Sequence, residues 1–433
     1  MSTPLTVMLL SHGFPPRETA GTERHTEALA AALRSRGHAV TVVAATRAPG
    51  APQYSREISP GLIRIVNNVA TRALVDGESD ANIDSAMAEI EAEIRPDVVH
   101  VHHLQFLSST AQFTAPTVVT LHDEWAWCAS GGLGLRNGNT LCDGPEPMAC
   151  SECHANWRPR PSKSARWLTK SAGLISPFIA PQRLHGLYKR IPASFRPSPI
   201  DRGQPPESPR AAAYRNQKVM EWFAAADVRI APSEHLQKKA ESVGMPKVQV
   251  IRHGLDADWF GPPKASKPRA GLVSIGTVAH HKGTDRVVES WRRVFPNGQI
   301  KLELFGPVLD PDAALGHPVG RILNRAEVRQ ALTCSKALLL GSRWPENAPL
   351  IILEARASGC PVIAPDLGGI SELIDDGIDG FLFDPDDPEG MDHALRRLDN
   401  SDPIRPRPPP RFEESVTQIE TIYRQLSRGA SCE

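Results

Sequence analysis

The chain has 433 residues, room for two or three domains, and its 49 Lys and Arg residues balance its 49 Asp and Glu residues. Neutrality excludes a chain-wide polyanion binder, and 40% hydrophobic with 23% charged residues excludes global disorder. No apolar run approaches the ~20 residues of a membrane span, and the N-terminal apolar stretch has no basic residue before it, so a soluble, cytoplasmic chain is expected.

Leu5–Leu10 is a short apolar run, followed by a loop holding Gly13, Pro15, Pro16 and Gly21. Thr22–Arg36 places Ala28, Leu29, Ala32 and Leu33 on one helical face and stops at Gly37, and Val40–Ala44 is a second apolar run. Continuous strands joined by a helix predict a parallel sheet covered on both faces. The pattern repeats with a helix marked by Ile83, Met87, Ile90 and Ile94, then strands at Val98–Val101 and Thr117–Leu121. Ligands of open parallel sheets bind outside the carboxyl ends of the strands, so Gly21, the His100/His102/His103 group and His122 are expected to face one crevice.

Between Arg158 and Lys218 stand 13 Lys and Arg residues against two acids, interleaved with aromatics, and Pro199 to Pro209 reads as a link. A second alternating region starts near Gly271, with strands at Leu272–Ile275, Leu302–Phe305, Ala337–Leu340 and Pro361–Ala364. Its helices are expected at Thr284–Val294, Arg325–Thr333 and Leu350–Ser358. A Pro-rich stretch, Pro403–Pro410, precedes a last helix at Glu413–Leu426. The expected fold class is therefore α/β, two doubly wound Rossmann-like lobes facing a cleft. The first lobe would span residues 1–262 with a basic insert at 157–218, the second 263–402, and the link and final helix 403–433.

The segment Ser342-Arg343-Trp344-Pro345-Glu346-Asn347-Ala348-Pro349-Leu350 is a strand end, a loop and a helix start near Pro349, and free N–H groups at such a terminus suit a diphosphate. Glu346 can accept hydrogen bonds from sugar hydroxyls, and Glu354 can reach a ribose diol. Eight residues of helix rise about 12 Å, too far for the ~5–9.5 Å of glycosidase carboxylates, so the pair reads either as a clamp on one extended ligand or, the reading the pair alone favours, as two incidental glutamates on a surface helix.

Glu346-x7-Glu354, with Ala357-Ser-Gly-Cys-Pro-Val-Ile363 and Asp366-Leu-Gly-Gly-Ile-Ser-Glu372 after it, resembles the donor site of family 4 glycosyltransferases, retaining enzymes of the two-lobed GT-B architecture. Pro96–His100, Thr120–Asp123, Pro232-Ser233 and Gly276 with Lys282-Gly283 follow in the order of that family. The resemblance implies a nucleoside-diphosphate sugar as donor and a saccharide or lipid-linked acceptor. Surface or exopolysaccharide assembly is the implied setting, with peripheral contact at the inner face of the membrane and no nucleic-acid partner. By position, Gly21 and Gly276 would approach the diphosphate, Lys282 would neutralise it, and His122 would lie near the transferred sugar. Glu346 would hold sugar hydroxyls, Asn347, Ala348, Pro349 and Leu350 would lend backbone contacts, and Glu354 would bind ribose. Two departures stand out: Thr277 follows Gly276 where the family carries arginine, and Ala20-Gly21 replaces paired glycines. Lys282 would then be helped by Arg343, Arg252 or His281. The rivals are a sugar-nucleotide epimerase and a non-catalytic sugar-nucleotide or nucleic-acid-binding protein.

No catalytic metal is expected from this chemistry. Cys128, Cys142, Cys150 and Cys153 fall in one glycine-rich segment, and the Cys150-x2-Cys153 chelate pair points to structural zinc or an iron–sulfur cluster organising a lid over the acceptor cleft, with disulfides or free thiols as the alternative.

Overall fold

The computed structural model describes residues 3–48, 50–68, 73–138, 140–157, 206–260 and 269–429. Strand β1 (Thr6–Ser11) is buried along nearly its whole length, helix α1 (Gly21–Ser35) follows it, and β2 (Ala39–Thr46) returns beside it. The hairpin of β3 (Arg56–Ser59) and β4 (Leu62–Val66) extends that edge, and α2 (Ala81–Ile94) leads to β5 (Val98–Val101) and β6 (Thr117–Thr120). The small hairpin β7 (Leu135–Arg136) and β8 (Thr140–Leu141) comes next, then α3 (Pro147–Trp157), α4 (Pro209–Ala225), β9 (Val228–Ala231), α5 (Glu234–Ser242) and β10 (Gln249–Val250). The first sheet runs β10-β9-β6-β5-β1-β2-β4-β3, parallel except for the β3–β4 pair. Its order reverses between β1 and β5, the switch point at which an open sheet leaves a crevice.

The second lobe repeats the plan. Strand β11 (Leu272–Ile275), helix α6 (Thr284–Val294), β12 (Leu302–Phe305), β13 (Val319–Gly320), α7 (Arg325–Cys334) and β14 (Ala337–Leu339) are followed by α8 (Leu350–Ala357), β15 (Val362–Pro365), β16 (Gly380–Phe383) and α9 (Gly390–Asn400). The six strands run β13-β12-β11-β14-β15-β16, all parallel. Each sheet carries an apolar cluster on each face, so only the strand ends can present polar groups without burying them unpaired. The α/β two-lobe expectation holds.

Helix α10 (Phe412–Gly429) does not stand apart as a tail. The chain crosses back at Leu255, whose N–H donates to Pro410 (3.0 Å) and whose carbonyl accepts from Phe412 (2.9 Å). Phe412, Val416, Ile419, Ile422 and Tyr423 then pack on the first sheet with Val7, Leu9, Leu29 and Val98.

Most of the basic insert, residues 158–205, and the expected lobe boundary at 262/263 lie outside the described residues. In the described part Arg210 is exposed, whereas Arg215 is buried. Arg215, on α4, is 1% exposed, its guanidinium stacked 4.5 Å from the Trp125 ring and donating to the Trp125 carbonyl at 2.7 Å. Delocalised charge over an aromatic face is a tolerable way to bury an arginine.

Because the Tyr423 ring is fully buried and its hydroxyl pairs with His100 Nδ1, Tyr423→Ala leaves both a cavity and an unpaired imidazole. A loss of about 3 kcal/mol is expected, read by urea unfolding; wild-type stability would show that α10 is not part of the first lobe's core.

Candidate active site

One cavity of about 740 Å³ lies between the two sets of strand ends and is lined from both lobes. Gly21, Gly276, Lys282, His122, Glu346, Asn347, Ala348, Pro349, Leu350 and Glu354, the ten residues expected at a donor site, all border it. Two helices begin there with their first turns unserved by a side chain. The N-cap of α1 is Ala20 and that of α8 is Pro349, and neither offers a side-chain acceptor. Helix N-termini left in that state carry free N–H groups and partial positive charge, so a doubly charged anion is the matching ligand. A Cβ on Gly21 would meet nothing within 4 Å, which puts this glycine against open cleft rather than against protein.

Glu346 is 9% exposed, accepts from the Ser342 hydroxyl, and pairs with Lys282 Nζ at 3.1 Å. The Lys282 ammonium also rests 4.6 Å from the Trp344 ring. The loop carrying Glu346 is pinned from beneath: Gly369 N–H donates to the Glu346 carbonyl at 2.7 Å, and a Cβ on Gly369 would fall 1.8 Å from the Asn347 oxygen. No other residue fits there. Asn347 bridges the lobes by donating Nδ2–H to the His122 carbonyl at 2.9 Å, while its buried Oδ1 has no hydrogen-bond partner. Asn347 lines the cavity, and its unpartnered oxygen is a polar group still lacking a hydrogen bond.

The expected helper cations divide. Arg343 chelates Asp285 (2.6 and 3.0 Å) and Arg252 pairs with Glu372 and with Glu234, so both are spent on ion pairs and neither lines the cavity. His281 does line it, and burial lowers its pKa, with Lys282 acting in the same direction, so it stands there as a neutral group. Arg24, on the first turn of α1, lines the cavity from the opposite lobe and is the leading pull that burial must overcome at Glu354. The sequence contained a signal for it, a basic residue four positions after an uncapped N-cap beside Gly21, but its position across the cleft from Glu354 emerges only when the lobes are assembled.

Glu354 carries the strongest perturbation among the cavity acids. Burial raises its pKa from the ordinary 4.5 to about 7, against the attraction of Arg24 and Arg325. His122, at the end of β6, is held well below its usual pKa by burial and by His102 and His253. It is therefore a neutral hydrogen-bonding group, with Nε2 3.1 Å from His102 Nδ1.

The four cysteines do not gather. Cys142, Cys150 and Cys153 lie near enough to affect one another's ionisation, whereas burial holds the Cys128 thiol at about 11 beside Arg215 and Glu124. Cys153 Sγ accepts from Asn137 N–H (3.0 Å) and Cys150 Sγ from Asn216 (3.7 Å). Among the described residues, the cysteines form no set of three or more ligand atoms within 4.8 Å. The four thiols therefore do not form the single cluster expected from their spacing. The segment is anchored in the rest of the lobe: Trp125 and Trp127, 2% and 1% exposed, pack into the first sheet's main core, and Ala129 packs with Leu74, Ala211 and Ala212.

Residues 19–181 match the model of Glycosyltransferase Family 4, and residues 269–400 match that of Glycosyl transferases group 1. The fold and the two matches, which between them take in well over half of the chain, place it in the GT-B class, and the chain belongs to the family 4 and group 1 glycosyltransferases. A glycogen synthase of Mycobacterium tuberculosis is 23% identical over 90% of this chain and 85% of its own length. A lipopolysaccharide core mannosyltransferase of Rhizobium meliloti is 33% identical over 36% of this chain and 51% of its own. Among solved structures, a sucrose-phosphate synthase of Thermosynechococcus elongatus aligns with a TM-score of 0.63 at 16% identity, covering 98% of this chain and 99% of that one. Anabaena Alr3699/HepE in complex with UDP and glucose aligns with a TM-score of 0.56 at 15% identity, covering 99% and 100%. The chain is an enzyme of this family.

The raised pKa of Glu354 fixes the sign of one pH effect. The native state keeps its proton up to about 7 and the unfolded chain releases it near 4.5, so the ligand-free protein loses stability as pH rises through that window. Glu354→Gln should remove on the order of 2 kcal/mol of that loss, discounted for partial exposure. Denaturant titrations at pH 5 and 8 read it, and parallel slopes in the two proteins would contradict the assignment.

Proposed function

We propose that the protein transfers a sugar from a nucleoside-diphosphate sugar, with retention at the anomeric carbon, to a saccharide or lipid-linked acceptor. The observation that carries this is the Lys282–Glu346 pair set between two uncapped helix N-termini around one inter-lobe cavity. The diphosphate would lie against the first turns of α1 and α8, with Lys282 and Arg24 supplying charge from opposite walls. Glu346 would hold hydroxyls of the sugar and Glu354 the ribose. The buried Asn347 Oδ1 would accept from a donor hydroxyl.

In the reaction the bond from the anomeric carbon to the diphosphate oxygen breaks and the bond to the acceptor oxygen forms on the same face. The departing diphosphate oxygen takes the acceptor's proton. Charge grows on the leaving phosphate, where fixed N–H dipoles and Lys282 act without reorganising. The neutral His122 is suited to donate or accept a hydrogen bond beside the transferred sugar rather than to carry charge.

Support for a nucleotide donor comes from the UDP in the Anabaena structure, and support for a glycan or lipid-linked acceptor from the names of the glycogen synthase and the lipopolysaccharide mannosyltransferase. Polysaccharide assembly at the cytoplasmic face of a membrane is the setting we assign. No helix among the described residues is long and apolar enough to cross a membrane, which fits peripheral contact. A thermal-shift screen over UDP-, GDP- and dTDP-sugars identifies the donor.

With that donor, Glu346→Ala should lower transfer by at least about a hundredfold while leaving the circular dichroism spectrum unchanged. Wild-type turnover by this variant would overturn the proposal. Lys282→Ala should cost about 2–4 kcal/mol in kcat/KM, the scale of one removed oxyanion donor. An unchanged kcat/KM would transfer the diphosphate to Arg24.

A further inference from the structure

Beneath the cleft, five imidazoles meet. His25 comes from the second turn of α1, His100 from within β5, His102 from its end, His122 from the end of β6, and His253 from the loop after β10. The ring centroids of His25 and His253 are 4.2 Å apart, those of His100 and His102 4.3 Å, and those of His25 and His122 5.2 Å. His25, His102 and His253 are 5%, 1% and 8% exposed. A neutral imidazole has one ring nitrogen whose lone pair can serve an ion.

Two of the five are already accounted for. His100 places its ring nitrogens on the Tyr423 hydroxyl and on the Thr120 hydroxyl (2.8 Å). His253 lies face to face with His122, 27° from parallel, a stacking geometry rather than a shared point. The other three behave differently. His25, His102 and His122 each offer one ring nitrogen within 4.8 Å of those of the other two. Nδ1 of His102 and Nε2 of His122 are 3.1 Å apart, about the separation of two imidazole ligands at ~2.0–2.1 Å from one tetrahedral ion. Nε2 of His25 is buried without any hydrogen-bond partner, an orphaned acceptor that an ion would satisfy.

We propose that His25, His102 and His122 form a site for one borderline divalent cation, zinc in the first place, with its fourth position open to the cleft. Imidazole nitrogen is the donor that zinc and its neighbours prefer, and three such donors with one open place is the arrangement of ion sites that exchange a water or a hydroxyl. His122 and His253 line the inter-lobe cavity, so the open place is reached from there. The ion would tie α1 to the ends of β5 and β6, fixing the helix whose N-terminus faces the donor cavity. It is not required for diphosphate departure, which Lys282 and the helix termini serve, so ion binding and transfer are separate readouts.

The test uses the full chain, stripped with a chelator and titrated with Co²⁺. One equivalent should give the intense visible bands of tetrahedral cobalt without a thiolate charge-transfer band, and Zn²⁺ should displace it. Saturating zinc should raise the thermal midpoint by about 4 °C or more. The Cys142→Ser, Cys150→Ser, Cys153→Ser triple variant should keep the spectrum, and His25→Ala should weaken binding by about a hundredfold or more. Absence of the bands in the wild-type chain, a thiolate band in it, loss of the bands in the cysteine variant, or undiminished affinity in His25→Ala would each overturn the site. The wild-type and cysteine-variant spectra decide the matter even if His25→Ala fails to fold.

Discussion

Everything at the active site depends on one constraint: a parallel sheet buried on both faces can place polar side chains only beyond its strand ends. Both sheets obey it, with apolar clusters above and below. The first sheet presents His102 and His122 at its carboxyl edge and the second presents Gly276 and Ser342 at its own. The cavity is where those two edges meet, and the Asn347–His122 hydrogen bond joins them directly. Removing solvent from one edge by means of the other would let modest dipoles act strongly on the diphosphate proposed as ligand.

Within the cavity, charge is rationed. Asp285 neutralises Arg343, and Glu372 with Glu234 neutralises Arg252, which leaves Lys282 and Arg24 as the cations that border the space. Lys282 is itself held by Glu346, so the proposed donor's phosphate would either share that lysine or release the glutamate to sugar hydroxyls. Thr277, where the resemblance implies arginine, lines the same cavity as Arg24 and Lys282.

The two-lobe plan was legible because its strands are continuous apolar runs and its helices have one apolar face. The helices at Thr284–Val294 and Leu350–Ala357 lie where the pattern put them, within a residue. The donor-side residues were legible for a related reason: Glu346 and Glu354 share one strand–loop–helix unit, so their relation is local. What could not be read was set by distant contacts. Helix α4 begins at Pro209, where the composition suggested a link, because its buried face is completed by Trp125 and Leu74 from other elements. The burial of Arg215 depends on the Trp125 ring and carbonyl, partners ninety residues away that its local sequence does not show. Proximity in sequence overstated the cysteines: Cys128 follows a strand and turns into the core, while the other three ride on a hairpin and α3. The histidines were understated, since His25 and His253 come from segments with no local link to His102.

Helix α10 has a consequence for biosynthesis. The first sheet's second apolar face, formed by residues up to Ile251, is covered by residues after Phe412, and Arg424 donates to the carbonyl of Thr3 at 2.9 Å. On a ribosome that lobe's strands emerge before its cover, which follows only after the entire second lobe. Until then Val7, Leu9 and Val98 face an unfilled groove. A nascent chain stalled anywhere before α10 would therefore expose a sticky half-finished domain to chaperones, and the emergence of α10, not completion of the lobe's own strands, marks the moment that lobe closes.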